Sequence, residues 1–258
     1  MLKFRIIRNW LGSAILVACL VHVAITLVNC YQYGVYRNGV VKLKKAGVLK
    51  KVLEKNNLNI TSLKVVGPIN GGDVHRLRQM LGATCFKEAE RGKLTSLDLS
   101  EASIVAGGYP YYASGLCFNT SNATIGCRMF FNCDKLQHIV LPKEITSIDR
   151  NAFWGCSSLT SIEMPDGVTW IDSYAFYNCS SLISIHIPDG VTSIEEGVFN
   201  GCSSLANVYC YAFTPPVIVW ETFPKYGNKA TLHVPKGRVS AYKKSDWRLY
   251  FNNIVEMK

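Results

Sequence analysis

The sequence predicts a repeat solenoid of short strands in the α+β class, with an α+β cap on the N-terminal side of the repeats and a further cap on the C-terminal side. The first sign is a set of four evenly spaced cysteines, Cys133, Cys156, Cys179 and Cys202, whose residue numbers rise by 23 each time. The second is that apolar residues keep the same step at six further positions of the unit. A unit of this size is too small to bury its own apolar side chains, so neighbouring units must cover them. The chain is long and apolar enough for this, with 258 residues of which 48% are hydrophobic.

The sequence pattern within each unit predicts two short strands joined by a turn. The first strand follows the pattern Leu-x-x-Ile-x-apolar-Pro and ends at proline, which cannot donate a hydrogen bond to a sheet. Asp-Gly pairs at 166–167 and 189–190 supply the turn. A second strand, such as 168–171, then leads into a tight bend that carries the cysteine.

Four such coils are predicted over residues 129–210, and stacking at about 4.8 Å per coil makes them roughly 20 Å long. A stack of this length needs caps at its open ends. We expect an N-terminal α+β cap over 35–128 and a C-terminal cap over 211–258.

The repeated cysteines predict packing rather than chemistry. None has a Cys or His neighbour at the spacing of two to four residues that metal and redox motifs use. We therefore expect them to be small buried apolar residues stacked on one another. Outside this set, Cys117 and Cys127 are candidates for a disulfide bond, which export would permit. The sequence predicts no metal and no cofactor.

Residues 1–29 have the basic-then-apolar order of an export signal. The apolar stretch of about 19 residues is also long enough for a retained membrane anchor. Leu16–Cys19 resembles a bacterial lipobox, which would make Cys19 a lipidation site. Four interpretations therefore remain: a cleaved signal, a membrane anchor, a lipoprotein signal, or a segment of a protein that is not exported. The common expectation is export to the cell surface or outer membrane, or secretion, with this segment as the membrane contact.

Charge is distributed unevenly along the chain. The net charge of +10 comes from the flanks, because residues 129–210 hold only 3 basic residues against 9 acidic ones. A nucleic-acid-binding solenoid would concentrate Lys and Arg on its regular scaffold. The charge pattern therefore argues against a nucleic-acid partner.

The repeats resemble the BspA-type leucine-rich repeat. The match is near-verbatim over 152–171 and 176–194, where the order is Phe-x-x-Cys-Ser-Ser-Leu-x-x-Ile-x-Ile-Pro-Asp-x-Val-Thr-x-Ile with few changes. It weakens in the first coil and ends where Cys210 and Tyr211 replace the apolar-Pro pair. Flanking segments within 40–258 are also similar to this group as found in Bacteroides-like bacteria. The resemblance implies a leucine-rich repeat fold and a cell-surface or secreted binding protein, in several cases an adhesin, without known catalysis.

The first strand of each coil offers a candidate ligand-binding face. The inward residue of this strand is Ile or Val in every coil, whereas the residues on either side of it vary from coil to coil, as expected of a surface that recognises a ligand. The residues before it are His138, Ser161, Ser184 and Asn207, and those after it are Val140, Glu163, His186 and Tyr209. Trp170 is added as an exposed aromatic, because the equivalent positions hold serine. The alternative is that all of these are solvated strand residues without a ligand.

The sequence thus predicts an exported, non-catalytic binding or adhesion module for a protein or glycan ligand, such as a host or extracellular-matrix molecule. None of its histidines lies in a metalloprotease or hydrolase motif, so no enzyme activity is predicted. The alternative function is a structural spacer or assembly unit without a soluble ligand.

Overall fold

The computed structural model describes residues 32–53, 59–86, 91–113, 117–224 and 229–258, together with Ala18 and Val21. Apart from these last two residues, the segment predicted to direct export lies outside the described part, and so does Cys19. Among the described residues, no helix combines the length and the apolar character needed to cross a membrane.

Short strands dominate the described chain. The region before the predicted repeats contains β1 (Gly34–Arg37), β2 (Val40–Leu43), α1 (Leu49–Val52), β3 (Ser62–Ile69), α2 (Gly71–Met80), β4 (Ser96–Ile104), β5 (Gly107–Ala113), β6 (Cys117–Thr120) and β7 (Thr124–Ile125). The predicted repeats contain β8 (His138–Val140), β9 (Ser147–Ile148), β10 (Ser161–Glu163), β11 (Trp170–Ile171), β12 (Ser184–Ile187), β13 (Ser193–Ile194) and β14 (Asn207–Cys210). The last region contains β15 (Val217–Ile218), β16 (Thr231–Val234), α3 (Val239–Lys244), a 3₁₀ helix (Asp246–Leu249) and β17 (Asn253–Glu256).

Two sets of strands run along the solenoid. One side is formed by the sheets β1-β2-β3-β4-β8-β10 and β12-β14-β16-β17, in which all neighbours from β2 onwards are parallel. The two sheets meet between β10 and β12, where the Ile183 amide donates to the Thr160 carbonyl at 3.3 Å. We call this side the strand face. Another side carries the parallel sheet β15-β13-β11-β9-β7, which we call the second sheet. The predicted solenoid of parallel short strands is confirmed.

The strand face continues beyond the predicted repeats in both directions. β3 and β4 lie parallel to β8 on one side, and β16 and β17 continue the order beyond β14 on the other. Their inward residues align with the Ile column of the repeats and are buried, namely Leu63, Leu97, Ile139, Ile162, Ile185, Val208, Leu232 and Ile254. The regions expected to act as caps therefore share the strand pattern of the repeats.

A stack of phenylalanine rings forms the centre of the core. The rings of Phe130, Phe153, Phe176 and Phe199 lie 5.2 to 5.5 Å apart, with interplanar angles of 5° to 13°. Phe223 extends the stack beyond Phe199 at 5.1 Å. All five rings are buried, so the Phe column read from the sequence is the axis on which successive coils pack.

The repeated cysteines lie beside this stack as predicted. All four are buried, and the thiols of the last three link successive coils. The Sγ atoms of Cys156, Cys179 and Cys202 donate to the phenylalanine carbonyl of the preceding coil, at 3.1 to 3.2 Å. Cysteine therefore supplies a small apolar volume together with a weak donor directed at a backbone carbonyl.

These thiols should be chemically inert in the folded protein. Burial raises the pKa of Cys133 and Cys202 to about 12 and raises the pKa of Cys156 and Cys179 well above its usual value, so the reactive thiolate is scarce. We expect iodoacetamide at pH 8 to label the exposed Cys85 in the native protein. Peptide mass spectrometry should find the four repeated cysteines labelled only after denaturation. Equal labelling of Cys179 and Cys85 in the native protein would contradict the burial of the repeated cysteines.

The predicted bond between Cys117 and Cys127 stays a prediction. Cys127 is a free thiol in the structure, and the side chain of Cys117 is not among those described.

Asp73 holds the region around α2 together. Its carboxylate accepts hydrogen bonds from the Asn70 amide at 3.0 Å and from the Leu49 amide at 2.8 Å. In return, the Asn70 side chain accepts from the Gly72 amide at 3.1 Å, which completes the N-terminal cap of α2. Burial raises the pKa of Asp73 against the effect of these hydrogen bonds. One carboxylate thus fixes the start of α2 and joins it to α1.

Candidate binding face

The structure places all eight predicted strand-face residues on β8, β10, β12 and β14. The register aligns His138 with Ser161, and it aligns His186 with Tyr209. The varied positions consequently form two straight rows across the coils. One row is formed by the residue that follows the inward residue on each strand. We call it the outer row, and it contains Val140, Glu163, His186 and Tyr209.

The outer row is longer than the four predicted coils. Strand pairing continues it through Lys64, Asp98, His233 and Val255. With about 4.8 Å between strands, eight strands make a row roughly 34 Å long. A surface of this length is suited to an extended ligand.

Ion pairs occupy the N-terminal end of the row. The Lys64 ammonium lies 2.7 Å from Glu101 Oε1 and 3.2 Å from Asp98 Oδ2. Hydrogen bonds to Glu101 and Asp98 raise the pKa of Lys64. Because these groups are partly exposed, their pairing adds little to stability, and one ammonium beside two carboxylates leaves one negative charge uncompensated at this end.

His138 and Glu163 form a polar pair in the middle of the strand face. His138 Nδ1 lies 2.8 Å from Ser161 Oγ, and its Nε2 lies 3.8 Å from Glu163 Oε1. The Glu163 side chain is 67% exposed and free to contact a ligand.

Three stacked rings form the C-terminal half of the row. The centroids of His186 and Tyr209 are 4.5 Å apart at an interplanar angle of 12°, and those of Tyr209 and His233 are 4.3 Å apart at 16°. Each ring is near parallel to its neighbour, so the ring faces cover one another and the edges point outward. The spacing follows from the coil repeat, which places equivalent side chains about 4.8 Å apart.

Hydrogen bonds fix the orientation of these rings. His186 Nδ1 bonds to the Tyr211 hydroxyl at 2.9 Å, and His233 Nε2 bonds to Asn207 Oδ1 at 3.0 Å. Burial lowers the pKa of His233, which favours the neutral form of its ring. The two histidine rings are therefore ordered before any ligand arrives, which reduces the entropy lost on binding.

A shallow hollow of about 630 Å³ lies next to the stacked rings. Its lining combines aromatic, apolar and charged side chains, namely Tyr209, Tyr211, His233, Val255, Glu256, Met257 and Lys258. Ring edges beside an open hollow can donate and accept hydrogen bonds and offer apolar contact at the same place.

Trp170 does not belong to the strand face, which corrects its grouping with the other candidates. It lies on β11 of the second sheet, between Ser147 of β9 and Ser193 of β13. The Asp-Gly turn lies between the two strands of a coil, so it carries the chain from one side of the solenoid to the other. Trp170 is 43% exposed there.

The prediction from the sequence missed His233 and Tyr211 as members of the face. His233 lies one position further from Tyr209 than the period of the repeats requires, so a search at the fixed period passes over it. A usable signal was present, because 231–235 repeats the order polar-apolar-x-apolar-Pro of 184–188. Among the described residues, no group of three or more His, Cys, Asp or Glu is placed to hold a metal ion.

Comparison with known proteins gives a family match and several similar solved structures, two of which follow. Residues 112–215 match the model of the BspA type leucine rich repeat region, in six copies compared with the four coils predicted. A leucine-rich repeat protein from Bacteroides ovatus is similar, with 26% identity, a TM-score of 0.41 and coverage of 64% of this chain and 37% of that one. The pneumococcal vaccine antigen PcpA is similar at 16% identity, a TM-score of 0.41 and coverage of 76% and 56%. The chain thus spans between about a third and somewhat over half of these proteins, and no curated protein matches it.

Proposed function

We propose that the chain is a cell-surface binding module whose ligand docks on the strand face, and the match of residues 112–215 to the BspA type leucine rich repeat region supports this. The observation that carries the proposal is the outer row. Its side chains differ from strand to strand, whereas the inward residues beside them are uniform and buried. Packing explains the uniform column, but it does not require a run of His, Tyr and Glu on the surface.

The proposed contact region is the C-terminal half of the face, around Glu163, His186 and Tyr209. Stacked rings bound to Tyr211 and Asn207 have already lost much of their side-chain freedom. Binding there loses little further entropy, which is why ordered aromatic residues are common at the centre of interfaces. Each coil is also held by its neighbours, so the row is presented on a rigid support.

Export and anchoring are part of the same proposal. The basic-then-apolar order of residues 1–29 supports delivery to the cell surface. A ligand-binding solenoid there would meet proteins or glycans outside the cell, including host or extracellular-matrix molecules.

The proposal is tested on arrays of glycans and of extracellular-matrix proteins. The probes are the labelled full-length protein and its Glu163→Ala, His186→Ala, Tyr209→Ala triple variant. A control triple variant, Ser147→Ala, Trp170→Ala, Ser193→Ala, changes an aligned row of the second sheet. We expect array signals that the control keeps and the strand-face variant loses. If every signal survives the strand-face variant, the strand face is not the binding site.

A further inference from the structure

Tyr211 breaks a row of prolines on the strand face. The position that ends the first strand of each coil holds proline before Tyr211 and again after it, at Pro142, Pro165, Pro188 and Pro235. Tyr211 falls in this row because Cys210 pairs with Ile187 and the Tyr211 amide donates to the Ile187 carbonyl at 3.0 Å. The tyrosine is 43% exposed. An aromatic ring accessible to solvent thus replaces the proline of the repeat at this position.

Tyr211 forms a wall of a groove of about 410 Å³, which we call the Tyr211 groove. The groove is lined by Asp166, Pro188, Asp189, Tyr211, Pro235 and Met257. Pro188 is buried and gives it an apolar floor, whereas Asp166 and Asp189 are exposed. The hollow beside His233 shares Tyr211 and Met257 with this groove.

The two carboxylates of the groove lack a cationic partner. Among the described residues, no Lys, Arg or His forms an ion pair with Asp166 or Asp189. Both stand in Asp-Gly turns, at the same position of successive coils. Like charges on neighbouring coils repel each other, and a cation bound beside them relieves the repulsion. The repeats that supply Asp166, Pro188 and Asp189 carry 9 acidic and 3 basic residues, whereas residues 211–258, which supply Tyr211, Pro235 and Met257, hold more basic than acidic residues. The attraction for a cation is therefore local to the Asp166 and Asp189 side of the groove.

We infer that the Tyr211 groove receives a lysine or arginine side chain of a polypeptide ligand. This rests on the proposed function, because it states the chemistry of a ligand bound on the same face. The methylene groups of such a side chain pack on Pro188, Pro235 and Met257 while its charged end reaches the two carboxylates. The Tyr211 ring, held by its hydrogen bond to His186, adds a cation–π contact.

The arrangement of the rings favours a polypeptide over a neutral glycan. Sugar rings bind aromatic residues by stacking on an open ring face. On this surface both faces of Tyr209 are covered, by His186 at 4.5 Å and by His233 at 4.3 Å, so the middle ring of the stack presents only its edge. Ring edges with N–H, O–H and C–H groups suit the carbonyl groups of a peptide backbone.

The test measures the affinity of the full-length protein for two fluorescent decapeptides at 150 mM salt by fluorescence anisotropy. One peptide carries four arginines in a Gly-Ser background, and the other has citrulline, the uncharged analogue of arginine, at the same four positions. We expect the arginine peptide to bind at least about tenfold more tightly. Asp166→Asn with Asp189→Asn should remove this difference, and Tyr211→Pro, which restores the repeat residue, should weaken arginine-peptide binding.

A matched control separates the groove from the overall charge. Asp172→Asn with Glu195→Gln removes the same charge next to the second sheet, and it should leave arginine-peptide affinity within about twofold. Equal binding of the two peptides overturns the inference, as does equal weakening by the two double variants. The array result with the strand-face triple variant decides the proposed function separately, because the arrays carry glycans and matrix proteins and do not depend on the Asp166 and Asp189 variants.

Discussion

Replacing Phe176 with alanine should lower the free energy of unfolding by about 3–5 kcal/mol, as for other fully buried aromatic rings. Phe176 lies in the middle of the ring stack, 5.2 Å from Phe153 and 5.5 Å from Phe199, and is fully buried. Its removal leaves a cavity between two coils that cannot close, because strands on two sides of the solenoid fix the coil spacing. Urea unfolding followed by circular dichroism measures the loss.

The control for this experiment is Ile183→Ala, a little further along the same stretch of chain. Ile183 is 51% exposed, and a substitution at such a site changes stability by about 0.5 kcal/mol or less. Equal losses for the two variants would show that the ring stack is not the centre of the core.

The second large effect is expected at Arg78, on α2. This guanidinium is fully buried, and its Nη1 donates to the carbonyls of Arg128 and Met129 at 3.0 and 3.1 Å. It also lies 5.0 Å from the centroid of the Tyr112 ring. One side chain thus connects α2 to the start of the predicted repeats.

Arg78→Ala should lower the free energy of unfolding by about 3 kcal/mol, because it opens a cavity and removes the donor from two buried carbonyls. Arg78→Lys should recover only part of the loss, since an ammonium is more strongly hydrated than a guanidinium and cannot also supply the Nη2 contact to Cys85 Sγ or a planar group beside the Tyr112 ring. Chemical unfolding at pH 7 measures both, with the exposed Lys93→Ala as a control that changes stability little. If Arg78→Ala lowered the free energy of unfolding no more than Lys93→Ala, the packing of α2 against the repeats would not depend on this contact.

The sequence predicted the repeated parts of the fold because one side chain type recurs at one spacing. Phe130 to Phe199 and the four cysteines keep a constant step, and packing between identical coils allows nothing else at those positions. Phe223 and His233 escaped the same search because each lies one position beyond the place that the period assigns to it. The extra residue lies between strands. Phe223 and His233 therefore still stack on Phe199 and Tyr209, although their spacing in the sequence no longer equals the period.

Other features depend on contacts between distant parts of the chain and leave no pattern in the sequence. Arg78 is one of these, since nothing in its surroundings predicts a buried guanidinium whose partners lie 50 and 51 residues away. The assignment of Trp170 failed for a simpler reason. Exposure alone does not say which side of the coil a residue occupies, and only its position after the Asp-Gly turn places it on the second sheet.

The central claim, that ligand binding belongs to the strand face, is tested most directly by titration calorimetry with a ligand identified on the arrays. The measurement compares the full-length protein with the Glu163→Ala, His186→Ala, Tyr209→Ala variant and the Ser147→Ala, Trp170→Ala, Ser193→Ala control. We predict that the strand-face variant weakens binding at least about tenfold, or about 1.4 kcal/mol, while the control stays within about twofold. An unchanged affinity in the strand-face variant, or an equal loss in both variants, would contradict the claim.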